Sequence, residues 1–229
     1  MRRHLAPVLI AIAGLAAGLA PLAPARAAES VVVAPAPDLD EAPGDRRAAI
    51  AYFAGGCFWG VEGVFSHVKG VRGVVSGYGG GATGQRVDYE RVGTGRTGYA
   101  EAVRVVYDPA QVSYGTLLRI FFSVIADPTT RDYQGPDHGS QYRSALFPQS
   151  EEQARIARAY LAQLGASGLW NAPVVTTIEP VRRFQPAEDY HQDFMRKNPD
   201  NGYIRHWDAP KLAAFRRLFP QLYRATPAA

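Results

Sequence analysis

Cys57 is the only cysteine among 229 residues, and it sits where a thiol could react. It lies in Ala54-Gly55-Gly56-Cys57-Phe58-Trp59-Gly60. An apolar run over 49–54 ends there, and Val61, Val64, Phe65 and Val68 then recur at helical spacing. A thiol at a strand-to-helix junction meets the free amides and the positive end of the helix dipole, which favour a thiolate. Gly55 and Gly56 leave room for another molecule near the sulfur, and Phe58 and Trp59 set two large rings beside it. A second reading stays open, because a lone cysteine also serves as a small apolar core residue. One cysteine excludes an internal disulfide and a Cys-rich zinc site. His4, His67, His138, His191 and His206 show no H-E-x-x-H or other tight ligand spacing, so no metal is expected.

The elements that must position this thiol follow from pattern. Residues 49–54 read as a strand, 57–68 as a helix and 71–78 as a second strand. A Gly-rich loop spans 79–98, and 101–107 alternates as a third strand before Asp108-Pro109 stops it. Ser113 can cap a helix running through Leu117, Leu118, Phe121 and Phe122. A polar loop over 127–141 leads to a strand at 143–147. Ser150-Glu151-Glu152-Gln153 has the capping-box form and opens a helix to about residue 164. A further strand is expected at 174–178, with short helices at 186–197 and 208–219, the last capped by Asp208. The order over 49–147 is β-α-β-β-α-β. That order predicts an α+β fold, a two-layer α/β plait with a ferredoxin-like core and extra helices.

The segment around Cys57 resembles the nucleophile motif of the A-type peptide methionine sulfoxide reductases. Further matches follow in the family's order. They are Gly77-Tyr78-x-Gly80-Gly81, Tyr89-x-x-Val92, Thr97-Gly98-x-x-Glu101 and Val105-x-Tyr107-Asp108-Pro109. Asp127-Pro128-Thr129, Gln134-Gly135-x-Asp137-x-Gly139-x-Gln141-Tyr142-Arg143-Ser144 and Pro186-Ala187-Glu188-Asp189-Tyr190-His191-Gln192 complete the set. The resemblance covers roughly residues 49–200.

This resemblance implies that Cys57 attacks the sulfur of a methionine (S)-sulfoxide in a peptide or protein and becomes a sulfenic acid. It implies that Phe58 and Trp59 hold the methyl group. Glu101, Tyr89 and Tyr142 would bind the sulfoxide oxygen, with Asp137 acting through a water or by orienting its neighbours. The chemistry is coherent, since a sulfoxide oxygen leaves poorly without a proton and a desolvated Glu101 could carry one near neutral pH. Each residue has an ordinary reading too: Glu101 as a solvated strand start, Tyr89 and Tyr142 as half-buried rings, Asp137 as a turn residue. His191 is read as structural. Two departures stand out. Tyr99 occupies the place of a histidine in the family's Thr-Gly-His-x-Glu, and the chain lacks the recycling cysteines of many relatives. No bound cofactor is expected, and the electrons must come from an external thiol, either a thioredoxin-like protein or a small thiol.

Two rival classes stay open. In one, Cys57 is the nucleophile and His191 the base of a cysteine hydrolase or acyltransferase. In the other, the chain is a secreted binding domain with an inert Cys57.

Arg2 and Arg3, an apolar run over 5–22 and Ala25-Arg26-Ala27 read as a signal peptide over 1–27, which points to export and to the periplasm. An uncleaved membrane anchor is the alternative. Residues 28–47, with Pro35, Pro37, Pro43 and Gly44, read as a flexible linker, and 48–225 as the folded domain. Net charge is +4, but without 1–27 there remain 22 basic and 21 acidic residues. Nucleic-acid binding is therefore not expected. A monomer with no stable membrane association after cleavage is the expectation.

Overall fold

The computed structural model describes residues 31–42, 48–81, 86–180 and 183–228. The leader and its cleavage motif lie outside the described residues. In chain order the first half holds β1 (Ala49–Gly55), α1 (Phe58–Ser66), β2 (Val71–Gly80), α2 (Tyr89–Gly93), β3 (Tyr99–Tyr107) and α3 (Tyr114–Ile120). It continues with β4 (Tyr133–Gln134), β5 (Asp137–His138), β6 (Ser144–Phe147) and α4 (Glu151–Ala166). The remainder comprises β7 (Thr177–Ile178), β8 (Phe184–Pro186), α5 (Phe194–Lys197) and α6 (Ala209–Leu218).

Among the described residues the main sheet has the order β7-β6-β1-β3-β2-β8. Its pairings are antiparallel except for β6 with β7. Period-two alternation divides its two faces. The Phe53 ring of β1 meets Phe65 of α1 and also Tyr114 and Phe121 of the α3 arm. Both helices therefore cover one face. The opposite face carries a smaller cluster of Ala54, Ala100, Ala102, Ala145 and Phe147, closed by Tyr52 and Phe184. The fold is mixed α/β with a mostly antiparallel sheet.

Local chemistry sets the element ends. Ser113 and Ser150 accept the amides of Thr116 and Gln153 at 3.1 Å each, as N-caps do. Gln153 reaches back to the Gln149 amide at 2.8 Å. Asp208 precedes α6 but makes no side-chain cap bond there; it is fully buried instead. The strand expected at 174–178 shrinks to β7, and the helix expected at 186–197 is a single 3-10 turn, Asp189–His191, followed by α5. The 127–141 loop contains the β4–β5 hairpin.

The expected flexible linker is corrected where it is described. Residues 31–42 lie along the body as a strap. A π-helical turn, Phe121–Ile125, follows α3, and Ser123 within it donates its hydroxyl to Arg119 O at 2.6 Å while its two oxygens remain able to accept. The Val32 amide donates to Ser123 O at 3.2 Å and the buried Ala34 amide to Ser123 Oγ at 3.0 Å. Arg119 Nε and Tyr160 Oη donate to the carbonyls of Ala34 and Pro35. Two acids then reach the start of α3: the Gly115 amide donates to Asp40 Oδ1 at 2.8 Å and the Tyr114 amide to Glu41 Oε1 at 2.7 Å. Carboxylates suit that positive helix end. Composition reads as a linker because backbone groups and two acids, not a periodic apolar face, hold this segment. Replacing both Asp40 and Glu41 with Ala should lower the unfolding free energy in urea by about 1–3 kcal/mol. An unchanged urea midpoint would mean that the strap rests on the body without stabilising it.

Candidate active site

Cys57 occupies the N-cap position of α1 and is 8% exposed. The two glycines before it are required by packing. Gly56 has φ +87°, and a Cβ there would lie 2.7 Å from Gln134 Cβ. A Cβ on Gly55 would lie 2.6 Å from the Phe121 ring. These glycines therefore let the protein close on itself beneath the thiol, rather than keeping space for a visiting molecule. Gln134 pins the loop below, donating to Thr130 Oγ1 at 2.7 Å and accepting from the Asp127 amide at 2.9 Å.

The first amides of α1 are divided between two acids of the site. The Phe58 amide donates to Glu101 Oε2 at 3.0 Å, and the Trp59 amide donates to the Cys57 sulfur. Glu101 is 3% exposed, because β3 is central and α1 covers it. Burial pushes its carboxyl up to about 8 against the opposing Phe58 bond, helped by the charges of Asp137 and Asp208. It is protonated at neutral pH. Burial likewise pushes the Cys57 thiol well above its ordinary range, with Glu101, Asp208 and Asp137 adding to the effect. The expected thiolate is corrected on this point: the Trp59 amide pulls the other way but does not offset burial among carboxyls. The resting pair is a thiol beside a carboxylic acid.

Two phenols face them. Tyr89, the first residue of α2, hydrogen-bonds Tyr142, which ends the 3-10 turn Ser140–Tyr142. Burial, then the Glu101 and Cys57 charges, push Tyr89 up to about 12. Tyr142 rises for the same first cause. Both keep their protons as donors. Gln141 and Ser140 tie this turn to the end of α2 through the carbonyls of Gly93 and Gly95. Asp137 on β5 accepts a bond from the Tyr203 hydroxyl. Phe58 and Trp59 form the apolar side: Phe58 is 1% exposed, and Trp59 stacks on Phe194 with centroids 3.7 Å apart and planes at 10°.

The structure thus brings together Cys57, Phe58, Trp59, Tyr89, Glu101, Asp137 and Tyr142. It adds residues that sequence reasoning left out. Tyr203 packs edge-on to Trp59 and bonds Asp137. Asp208, read as a cap, packs so closely on Gly60 that a side chain there would collide with its carboxylate. His191 is buried against the rings of Phe58 and Tyr89 and accepts the Trp59 indole N–H through Nδ1 at 3.0 Å. Burial lowers its pKa, against the pull of Glu188, so it is a neutral ring with Nδ1 engaged. That arrangement leaves it poorly placed as a base for Cys57. Glu188 in turn accepts the Tyr78 hydroxyl at 2.8 Å and the Tyr89 amide at 3.1 Å. The only signal for His191 and Glu188 was their shared motif, and Tyr203 had none. Tyr99, at the departure from the family pattern, is buried and packs over Gly81.

Comparison with known proteins makes the chain an oxidoreductase: the family described as "Peptide methionine sulfoxide reductase" matches residues 49–222. A peptide methionine sulfoxide reductase MsrA 2 of Mesorhizobium japonicum is 54% identical over 190 residues, covering 83% of this chain and 95% of that protein. The MsrA of Deinococcus radiodurans is 49% identical, over 74% of this chain and 81% of its own. The methionine sulfoxide reductase A structure of Corynebacterium diphtheriae aligns with a TM-score of 0.57 at 34% identity, over 74% and 84% of the two chains. The reduced form of Mxr1 from Saccharomyces cerevisiae gives 0.56 at 33% identity, over 72% and 92%. The chain belongs to the peptide methionine sulfoxide reductase family.

Burying Glu101 makes the stability of the fold depend on pH. Its folded pKa of about 8 lies above the ordinary 4.5. The folded state therefore binds the proton more tightly than the unfolded chain does. That contribution is complete below the unfolded pKa and is lost as pH rises through the folded one. Glu101→Gln keeps an acceptor for the Phe58 amide without a titrating group. It should be more stable than wild type by roughly 2–5 kcal/mol at about pH 9, with the difference shrinking toward about pH 5. Urea denaturation at both pH values measures this, and a pH-independent difference would refute the buried acid.

Proposed function

We propose that this enzyme reduces methionine (S)-sulfoxide in peptides and proteins to methionine through a Cys57 sulfenic acid. The observation that carries the reading is the juxtaposition of the chain's one thiol with a buried carboxyl that still holds its proton at neutral pH. In the proposed cycle the substrate methyl lies against Phe58 and Trp59, and the sulfoxide oxygen lies toward Glu101, Tyr89 and Tyr142. Glu101 donates its proton to the oxygen as charge develops there, with the phenols as further donors. The Cys57 sulfur attacks the substrate sulfur, forming an S–S bond, and its own proton passes to Glu101. The protonated oxygen moves from the substrate sulfur to the Cys57 sulfur as the S–O and S–S bonds break, leaving a Cys57 S–OH and free methionine. An external thiol then condenses with the sulfenic acid, releasing water and forming a mixed disulfide. A second thiol regenerates Cys57 and leaves as the oxidised donor. Asp137, through Tyr203, orients the site.

The strand order β6-β1-β3-β2, with α1 and α3 on one face, supports reading the core as a ferredoxin-like plait. Arg2, Arg3, the apolar run and Ala25-Arg26-Ala27 support export, most naturally to a periplasm. In that setting the substrates are oxidised exported proteins and the donor is a thioredoxin-like domain or small thiol of the same compartment. Intact-mass measurement of the protein from its native compartment should show residues 1–27 removed; a mass that includes them would indicate an anchored form.

Without reductant, the wild-type chain should yield one equivalent of methionine from the S epimer and a Cys57 sulfenate that dimedone labels. Turnover should appear only with added thiol. Cys57→Ser should abolish product, and Glu101→Gln should slow the single turnover by about 100-fold or more while leaving the fold intact. Wild-type turnover by Cys57→Ser, or repeated turnover without thiol, would overturn the mechanism.

A further inference from the structure

Glu62 lies three residues beyond Trp59 in α1, is 4% exposed and plays no part in the chemistry above. One of its oxygens, Oε2, accepts two bonds, from the Ser76 hydroxyl of β2 at 3.1 Å and from the Asp193 amide at 3.0 Å. Asp193 has φ +56° and ψ 26°, a left-handed conformation that costs a non-glycine residue energy unless its surroundings impose it. That turn reverses the chain between two rings. His191, before it, accepts the Trp59 indole N–H, and Phe194, directly after it, stacks on the Trp59 face. The preceding residue is fixed to the same point of β2: the Ser76 amide donates to Gln192 Oε1, and Gln192 Nε2 donates to Ser76 O, both at 3.0 Å. Burial pushes the Glu62 carboxyl up to about 7 against its two bonds. A carboxyl is a costly way to fill a core position, and an apolar side chain would pack there more cheaply.

We infer that Glu62 is a positioning residue for substrate binding: it holds the strained Asp193 turn and thereby sets His191 and Phe194 on either side of Trp59, the wall that receives the substrate methyl. The inference rests on the reading of Phe58 and Trp59 as the methyl site. It assigns Glu62 an effect on how tightly the sulfoxide is held and little on the speed of its reduction, because Cys57, Glu101, Tyr89 and Tyr142 are held by other bonds.

Single-turnover reduction of a sulfoxide-containing peptide, without thiol, separates the two quantities as a half-saturation concentration and a limiting rate. Glu62→Asp keeps the carboxyl group but withdraws it by about 1.5 Å. It and Glu62→Ala should raise the half-saturation concentration about tenfold and leave the limiting rate within about twofold. Glu62→Gln, which retains an acceptor, should stay within about twofold of wild type in both. Asp193→Gly accepts the left-handed turn without strain and should restore most of the loss when combined with Glu62→Ala. Should Glu62→Ala fail to fold, Glu62→Asp and its combination with Asp193→Gly make the same comparison. An unchanged half-saturation concentration in Glu62→Asp, a loss confined to the limiting rate, or no recovery by Asp193→Gly would each overturn the inference. A wild-type chain inactive on every sulfoxide would instead overturn the functional reading on which it rests.

Discussion

The bond from the Phe58 amide to Glu101 Oε2 joins the first turn of the helix to the central strand of the sheet, and the site is arranged around it. Helix α1 must begin at Phe58 for that amide to be free, so the chain must turn at Gly56 in a conformation that suits glycine. Strand β3 must lie between β1 and β2 for Glu101 to be covered. Once covered, the carboxyl keeps its proton, and the burial that holds it also pushes the neighbouring thiol up, so one packed site sets the charge state of both groups. An isolated cysteine at a helix start would ionise readily. Here the helix amides are shared with a carboxyl, and desolvation prevails over the dipole.

Around this bond stands a layer of residues that brace one another. Trp59 is held on three sides, by His191 through its indole N–H, by Phe194 through its face and by the edge of Tyr203. Glu188 serves Tyr78 and Tyr89 together, while Tyr203 reaches Asp137. The irregular segment after β8 therefore supplies most of the support for one aromatic wall. Rigid support of this kind limits how far the reacting groups can drift from a productive geometry.

Much of this was legible in the chain before any fold. The apolar run, the glycine pair and the helical spacing of Val61, Val64, Phe65 and Val68 place Cys57 at a strand-to-helix junction on pattern alone. Glu101 was not legible that way, because alternation cannot tell a strand's exposed face from a face covered by a distant helix; only its motif singled it out. Tyr203 was invisible for a different reason. It immediately precedes a short π-helical stretch, Ile204–Asp208, with no apolar period, and its value comes from the contact with Asp137, 66 residues away in sequence. Asp208 was misread because a polar residue ahead of a helix is usually a cap, whereas packing against Gly60 draws its side chain inward. The strap over 31–42 escaped because proline-rich composition reports the cost of ordering a segment and says nothing about the hydrogen-bonding groups waiting for it on the body.

The strap also separates two meanings of the word domain. The stretch shared with the family begins at residue 49, yet Ala34, Asp40 and Glu41 fill, bond and cap elements well inside that stretch. The family match and the packed body that the strap belongs to do not share a boundary. A chain cut back to residue 49 would keep Ser113 as the cap of α3 but lose the carboxylates that the Tyr114 and Gly115 amides donate to, and it would bare the surface beneath Ala34, leaving a weaker frame around Cys57.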